Sequence, residues 1–176
     1  NNFTGSIPEA VYDLTKLRVL NTSENNFIGT LSKSIGKLTN LEVLSMFKNN
    51  HSGSTIPTEL YNLTKLEICL LGRLFHGTLP EAVGNLTNLI MLDISVNPSM
   101  GGSIPQSITK LTKLEALAFT NNSMTGSLPD TFWSLTKLKG LLLSANSISG
   151  NIAGIANLTR AEGIDLDQMQ LSGTIP

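Results

Sequence analysis

Seven asparagines stand in the motif Asn-X-Ser/Thr with X other than proline: Asn2, Asn21, Asn50, Asn62, Asn85, Asn121 and Asn157. Each offers a side-chain amide to the oligosaccharide transfer that marks secreted chains, whereas Pro98 excludes Asn97. Asn, Ser and Thr are abundant here, and Asn62, Asn85 and Asn157 all come from one recurring Asn-Leu-Thr. Even so, the set points to a glycoprotein that is secreted or displayed at the cell surface, carrying N-linked glycans.

Other reactive groups are sparse. Catalysis needs a nucleophile beside a base, or paired carboxylates across a cleft, and the chain has no GxSxG, HExxH or P-loop pattern. No enzymatic activity and no cofactor are expected. Glu162, Asp165 and Asp167 make an acidic end to the strand face that suits a basic partner or calcium, with two carboxylates at i and i+2, but calcium takes six to eight oxygens and no further donors are arranged for it. His51 and His76 occupy similar loops of neighbouring units without a third zinc ligand, so no metal is expected. Cys69, the only cysteine, excludes an internal disulfide and any CxxC motif; standing at a Leu position, it reads as an inert core thiol.

Charge and hydropathy narrow the partners. The 12 Lys and Arg are interspersed with 13 Asp and Glu for a net charge of −1, which argues against nucleic acid. No window approaches the roughly 18 apolar residues of a membrane span, so no membrane contact is expected from this segment. The opening residues NNFTGSIP have neither Met nor a signal pattern, as in a processed or truncated chain.

What positions these groups is a repeat. LTKL or a near relative starts at Leu14, Leu38, Leu63, Leu86, Leu111, Leu135 and Leu158, with spacings of 24, 25, 23, 25, 24 and 23. After the second Leu of each unit the residues alternate; Leu20 and Thr22 point one way, and Val19, Asn21 and Ser23 the other. A unit holding one short strand buries its apolar side only against neighbouring copies, which predicts a stack of coils with a curved parallel sheet. Asn1, Asn25, Asn49, Asn97, Asn122 and Asn146 recur after the strand, with Leu74 and Met169 breaking the pattern, and read as a ladder of amides bonding successive turns. Gly-X-Ile/Leu-Pro follows at 5–8, 77–80, 102–105, 126–129 and 173–176, the Gly permitting a turn and the Pro expected to stop a helix.

The consensus L-x-x-L-x-x-L-x-L-x-x-N-x-x-x-G-x-I-P resembles the plant-type leucine-rich repeat over essentially all 176 positions. The resemblance implies an α/β solenoid, a right-handed arc with a concave parallel β-sheet, short 3₁₀ segments at LTKL on the convex side and a second strand near GxIP. It also implies extracellular recognition, as in receptor ectodomains and secreted inhibitors. Residues 1–176 read as a single solenoid of about seven repeats, with partial units at both ends and without the family's caps. One residue missing at Arg73–His76, and one added at Ser54–Thr55 and at Pro98–Gly102, are expected to bulge loops without breaking the stack.

The outward strand positions are the ones free to vary. Val43, Phe47, Ile68, Leu70 and Met91 place an apolar patch on three adjacent units of an otherwise polar face, and Lys48 and Arg73 flank it together with Glu42 and Glu67. The patch is the expected contact for a protein or peptide ligand, although apolar residues packing along the strand account for the pattern equally. Lys16, Lys65, Lys113, Lys137 and Arg160 line the convex side, a stripe interrupted by Asn40 and Asn88; it serves solubility first and admits an acidic polysaccharide. The Thr before each of these positions reads as a turn opener bonding its own backbone, with an ice-binding array as the other reading. Tyr12, Tyr61 and Trp133, where other units have Gly36 and Gly84, are expected to pack over adjacent glycines, with stacking against sugar as the other reading. The alternative to a recognition module is a structural glycoprotein serving as a spacer in a cell-surface, wall or filament assembly.

Overall fold

The computed structural model describes residues 1–51, 53–73 and 75–174; the ladder position Leu74 and the last two residues of the final GTIP lie outside them. Each period makes one coil. Its first strands, Val19–Asn21, Val43–Ser45, Ile68–Leu70, Met91–Asp93, Ala116–Ala118, Gly140–Leu142 and Gly163–Asp165, pair in parallel into one seven-stranded sheet in chain order, and we number coils 1 to 7 by them. Register is kept throughout: Leu20, Leu44, Cys69, Leu92, Leu117, Leu141 and Ile164 are partners in line. A slip of one residue would turn this inward row to solvent, which holds the register despite unequal unit lengths.

The burial of each coil comes from its neighbours. Leu38, Leu63, Leu86 and Leu111 are 0 % exposed, whereas their counterpart Leu14 in the first coil is 55 % exposed. Complete burial of a Leu is worth roughly 2 kcal/mol, so stacking supplies what no single unit has.

On the opposite side, short strands form a second parallel sheet in pieces. Ser54–Thr55, Phe75–Thr78, Ser99–Gly102 and Ser123–Met124 make four strands; Thr4–Gly5 with Asn26–Phe27, and Ser149–Asn151 with Gln170–Ser172, make separate pairs. The added residue at Ser54–Thr55 leaves the concave sheet intact but coincides with the first break. There the Ser54 hydroxyl accepts the Leu31 N–H at 3.1 Å, and the His51 ring lies 3.2 Å from the Gly29 carbonyl. These side chains supplement one backbone bond that still joins the two coils, the Asn50 N–H to the Phe27 carbonyl at 2.9 Å.

The 3₁₀ segments, Glu9–Asp13, Lys33–Lys37, Thr58–Asn62, Glu81–Asn85, Gln106–Lys110, Phe132–Ser134 and Ile155–Asn157, end where LTKL begins, one turn earlier than the resemblance implied. LTKL itself is a turn, as in the Leu17 N–H bonding the Leu14 carbonyl at 2.8 Å. Proline starts these segments instead of stopping them: Pro8, Pro57, Pro80 and Pro105 are the N-caps, where a fixed φ is already suitable and a missing N–H costs nothing.

The asparagine ladder is present. Asn49, Asn97, Asn122 and Asn146 are buried, and the Asn146 amide donates to the carbonyls of Phe119 and Leu143 while its oxygen accepts the Met124 N–H. The residue before each rung position turns the chain with positive φ, at Glu24, Lys48, Arg73, Val96, Asn121, Ala145 and Gln168. Val96, with φ 61°, is the strained member, because a β-branched side chain crowds the backbone in the left-handed region. Val96→Asn is expected to raise the unfolding midpoint by about 1 kcal/mol of stability; an unchanged or lower midpoint in thermal unfolding would show that Val96 packing outweighs the strain.

Candidate functional site

Three side chains of the concave sheet enclose a hollow of about 470 Å³: Phe47, Leu70 and Met91, with Asn21, Ser23, Glu24, Ser45 and Asp93 completing its lining. Phe47, Leu70 and Met91 are half-buried. Phe47 lies flat enough over the next coil that a Cβ on Gly72 would stand 2.4 Å from its ring, so glycine there is what seats the aromatic. Val43 and Ile68 sit beside the hollow at the first position of their strands, also half-buried, and Lys48 stands over Phe47 with its Nζ 5.9 Å from the ring centroid. The patch expected from the sequence is therefore split, three residues in the hollow and two on its shoulder.

The first outward column steps down along the sheet, from Val19, Val43, Ile68 and Met91 to Ala116, Gly140 and Gly163. Polar groups on the face hold one another: Ser23 and Ser45 hydroxyls are 2.6 Å apart, and the Ser144 hydroxyl donates to Asp165 at 2.6 Å. Asn21, Asp93 and Asp165 each accept the N–H two residues on, through one side-chain oxygen.

Two charged rims border the sheet. Before the strands, Arg18 makes a bidentate pair with Glu42 at 2.6 and 2.8 Å, and Lys139 pairs with Glu115 at 2.7 Å. These contacts hold the carboxyls of Glu42 and Glu115 below the usual range, through hydrogen bonding first and charge second for Glu115. All are exposed pairs and contribute little to stability. Beyond the strands, Lys48 pairs with Glu24 at 3.0 Å, so Lys48 meets a ligand as one half of an ion pair. Arg73 lines a different, mostly apolar hollow of about 390 Å³ with Gly53, Phe75, His76, Val96, Pro98 and Ser99.

All seven sequon asparagines are exposed, in contrast to the buried rungs; Asn62 and Asn85 end 3₁₀ segments on the convex side, as does Asn157, while Asn21 is on the concave face. Cys69 is buried, and burial pushes its thiol up to about 12, with nearby Asp93 adding to the effect. Tyr12 and Tyr61 are buried, the Tyr61 hydroxyl without a hydrogen-bond partner among the described residues, and Trp133 packs on Gly154, its indole N–H donating to the Asn151 carbonyl at 3.1 Å. His51 is buried, which lowers its pKa, and His76 lies in the second sheet paired with Thr55 and Ser99. Among the described residues no three His, Cys, Asp or Glu gather as a metal set, and no helix is long and apolar enough to cross a membrane.

The convex stripe departs from its sequence reading in two ways. Lys65 and Lys113 each donate at 2.7 Å to the very asparagines that interrupt the stripe, Asn40 and Asn88, whose amides in turn bond the carbonyls of Thr15 and Thr64. The recurring Thr is exposed, and among the described residues its hydroxyl makes no bond to its own backbone; the backbone N–H does the work instead, as Thr39 to the Lys37 carbonyl at 2.9 Å. The sequence also gave no hint of Glu81, whose carboxylate accepts the Gln106 and Ser107 N–H groups of the next coil at 3.0 and 2.9 Å.

No family model matches the chain, and no curated protein matches it. Solved structures do. All of the chain superposes on 28 % of the plant peptide hormone receptor RGFR1, solved in complex with RGF2, at 38 % identity and TM-score 0.94. It superposes equally completely on 30 % of a TDR receptor at 34 % identity and TM-score 0.92. On the ectodomain of the Arabidopsis receptor kinase HAESA, in complex with an N-terminally extended IDA peptide hormone, the match covers 34 % of that chain at 30 % identity and TM-score 0.79. The chain thus spans about a third or less of these structures.

Proposed function

Since the chain belongs to the plant-type leucine-rich-repeat family and shares its non-catalytic solenoid fold, we propose that it is an extracellular recognition module that binds an extended peptide, or a peptide-like edge of a protein, on its concave face. The observation that carries this reading is the half-buried hollow of Phe47, Leu70 and Met91 in an otherwise polar sheet. An apolar concavity left open on a rigid surface is where a ligand gains most from leaving water. Support comes from the neighbours, two of which are held with a peptide hormone or peptide partner. Residues 1–176 act in this reading as one solenoidal unit, part of a receptor ectodomain or secreted inhibitor.

Glycosylation fits the same reading. Sugars on Asn62, Asn85 and Asn157 leave the concave face open, and a sugar on Asn21 covers its first coil.

The test uses nine-residue peptides selected from a displayed library on the folded protein. Leu70→Asp and Phe47→Asp are expected to weaken the selected peptides at least about 100-fold, since an unpaired carboxylate replaces a buried apolar contact, with far-UV circular dichroism unchanged. If no peptide is recovered, or recovered peptides bind both variants like the parent, the concave site is wrong and the spacer role gains.

A further inference from the structure

We propose that the ligand of the concave hollow is an extended peptide with a lysine or arginine two residues from an apolar side chain, the apolar group seated on Phe47 and Leu70 and the cation on Asp93. This rests on the concave-face reading above and specifies its ligand chemistry.

Asp93 is half-buried and lines the hollow. One of its oxygens accepts the Ser95 N–H at 2.8 Å, which orients the carboxylate, and among the described residues no lysine or arginine forms an ion pair with it. The other oxygen accepts no hydrogen bond among the described residues, and in this proposal it takes the ligand's cation. The remaining acid of the hollow, Glu24, is already committed to Lys48 at 3.0 Å.

The field of the whole face has the same sign. The outward strand positions of the seven coils carry Asp93, Asp165 and Asp167 and no lysine or arginine. Of the rim cations, Arg18, Lys48 and Lys139 are ion-paired and Arg73 lines the other hollow without an ion pair among the described residues, while Glu67 and Glu162 on the rim likewise have no such pair there. Lysines collect on the convex side instead, so a chain of net charge −1 presents a negative concave face. That field steers cationic ligands in and turns acidic ones away.

Spacing then sets the motif. Leu70 and Asp93 are register partners on adjacent strands, and Phe47 belongs to the coil before. With strands about 4.8 Å apart, the centre of the Phe47–Leu70 seat lies roughly 7 Å from Asp93, and an extended peptide crossing the strands repeats its same-face side chains about every 6.8 Å. Residues i and i+2 of the ligand therefore meet the two subsites together.

The experiment compares peptides from the same display selection, each synthesised with its basic residue kept, replaced by Gln, or replaced by Glu, against the parent protein, Asp93→Asn, Asp93→Lys and Leu70→Asp, by fluorescence anisotropy. The selected pool is expected to be enriched in apolar-X-Lys/Arg. The parent should prefer the basic peptide over its Gln form by about tenfold, Asp93→Asn should erase that ratio, and Asp93→Lys should favour the Glu form. Leu70→Asp should weaken all three through loss of the apolar seat, and the Glu form most, because it sets a second carboxylate beside Asp93. Added salt should weaken the basic form more than the Gln form. Peptides without basic enrichment, or a ratio unmoved by Asp93→Asn while Leu70→Asp still abolishes binding, would overturn the cation subsite and leave the concave-face reading standing. Failure to recover any concave-face peptide would sink both.

Discussion

Replacing Asn97 by alanine is expected to lower stability by about 3 kcal/mol, most of it from backbone groups that lose a buried side-chain partner. Asn97 is 0 % exposed. Its side-chain oxygen accepts the Phe75 N–H at 2.8 Å, and its amide donates to the Leu71 and Ile94 carbonyls at 3.0 and 2.6 Å. Ile94 keeps a second donor, the Asn122 amide at 3.1 Å, so the cost concentrates on Phe75 and Leu71. Alanine supplies nothing in return, and water has no route to a fully buried site. The control is Asn25→Ala: that side chain does the same job for the Phe3 N–H at 3.2 Å, but at an exposed end of the stack where water substitutes, and a loss below about 1 kcal/mol is expected. Chemical denaturation of the two variants measures the difference. Equal midpoint shifts would mean that the ladder works through local turn geometry and not through burial.

The second large effect concerns how closely coils approach. Gly84→Ala is expected to cost about 3 kcal/mol, because the added Cβ would stand 2.6 Å from the Ser107 Cβ and 2.9 Å from the Ser107 carbonyl oxygen of the next coil. Backbone cannot swing aside as a long side chain does. The coils must part, stretching the Glu81 contacts to Ser107, which include the hydroxyl donating to the Glu81 carbonyl at 2.7 Å. Gly163→Ala gives the opposite result: nothing lies within 4 Å of its would-be Cβ, and the variant should be neutral or stabilised by about 0.5 kcal/mol through a less flexible unfolded chain. Thermal unfolding of the pair checks both. A mild Gly84→Ala would show that coil spacing relaxes freely, contrary to the close packing of the 3₁₀ row.

These two sites differ in how far they were readable beforehand. The Asn97 rung follows from a recurring polar residue at a fixed distance after an inward leucine, since a buried amide needs partners and identical coils provide them. Yet the added residue at Pro98–Gly102 shifts the bonding: the Asn122 oxygen takes the Asn97 N–H at 2.8 Å, whereas the Asn146 oxygen takes the N–H of Met124, two residues past its rung. No residue type announces that shift. Gly84 stood out only as a gap where other coils have Tyr12, Tyr61 or Trp133, with no sign that Ser107 fills it.

By itself the sequence determined the coil, the parallel sheet, its register and which side chains face outward, because a 23–25-residue period and a two-residue alternation leave one way to bury the leucines. That is why Phe47, Leu70 and Met91 were readable as neighbours. Only the tertiary structure decided that Phe47 rests on Gly72, that Lys48 is engaged by Glu24 while Asp93 keeps an oxygen open, that Arg73 belongs to another hollow, and that the second sheet breaks beside Ser54. Each of these is a contact between coils some 24 residues apart, set by small offsets in unit length and by which of two nearby partners wins a charge. A repeat pattern averages such offsets away, and the stacked coils restore them.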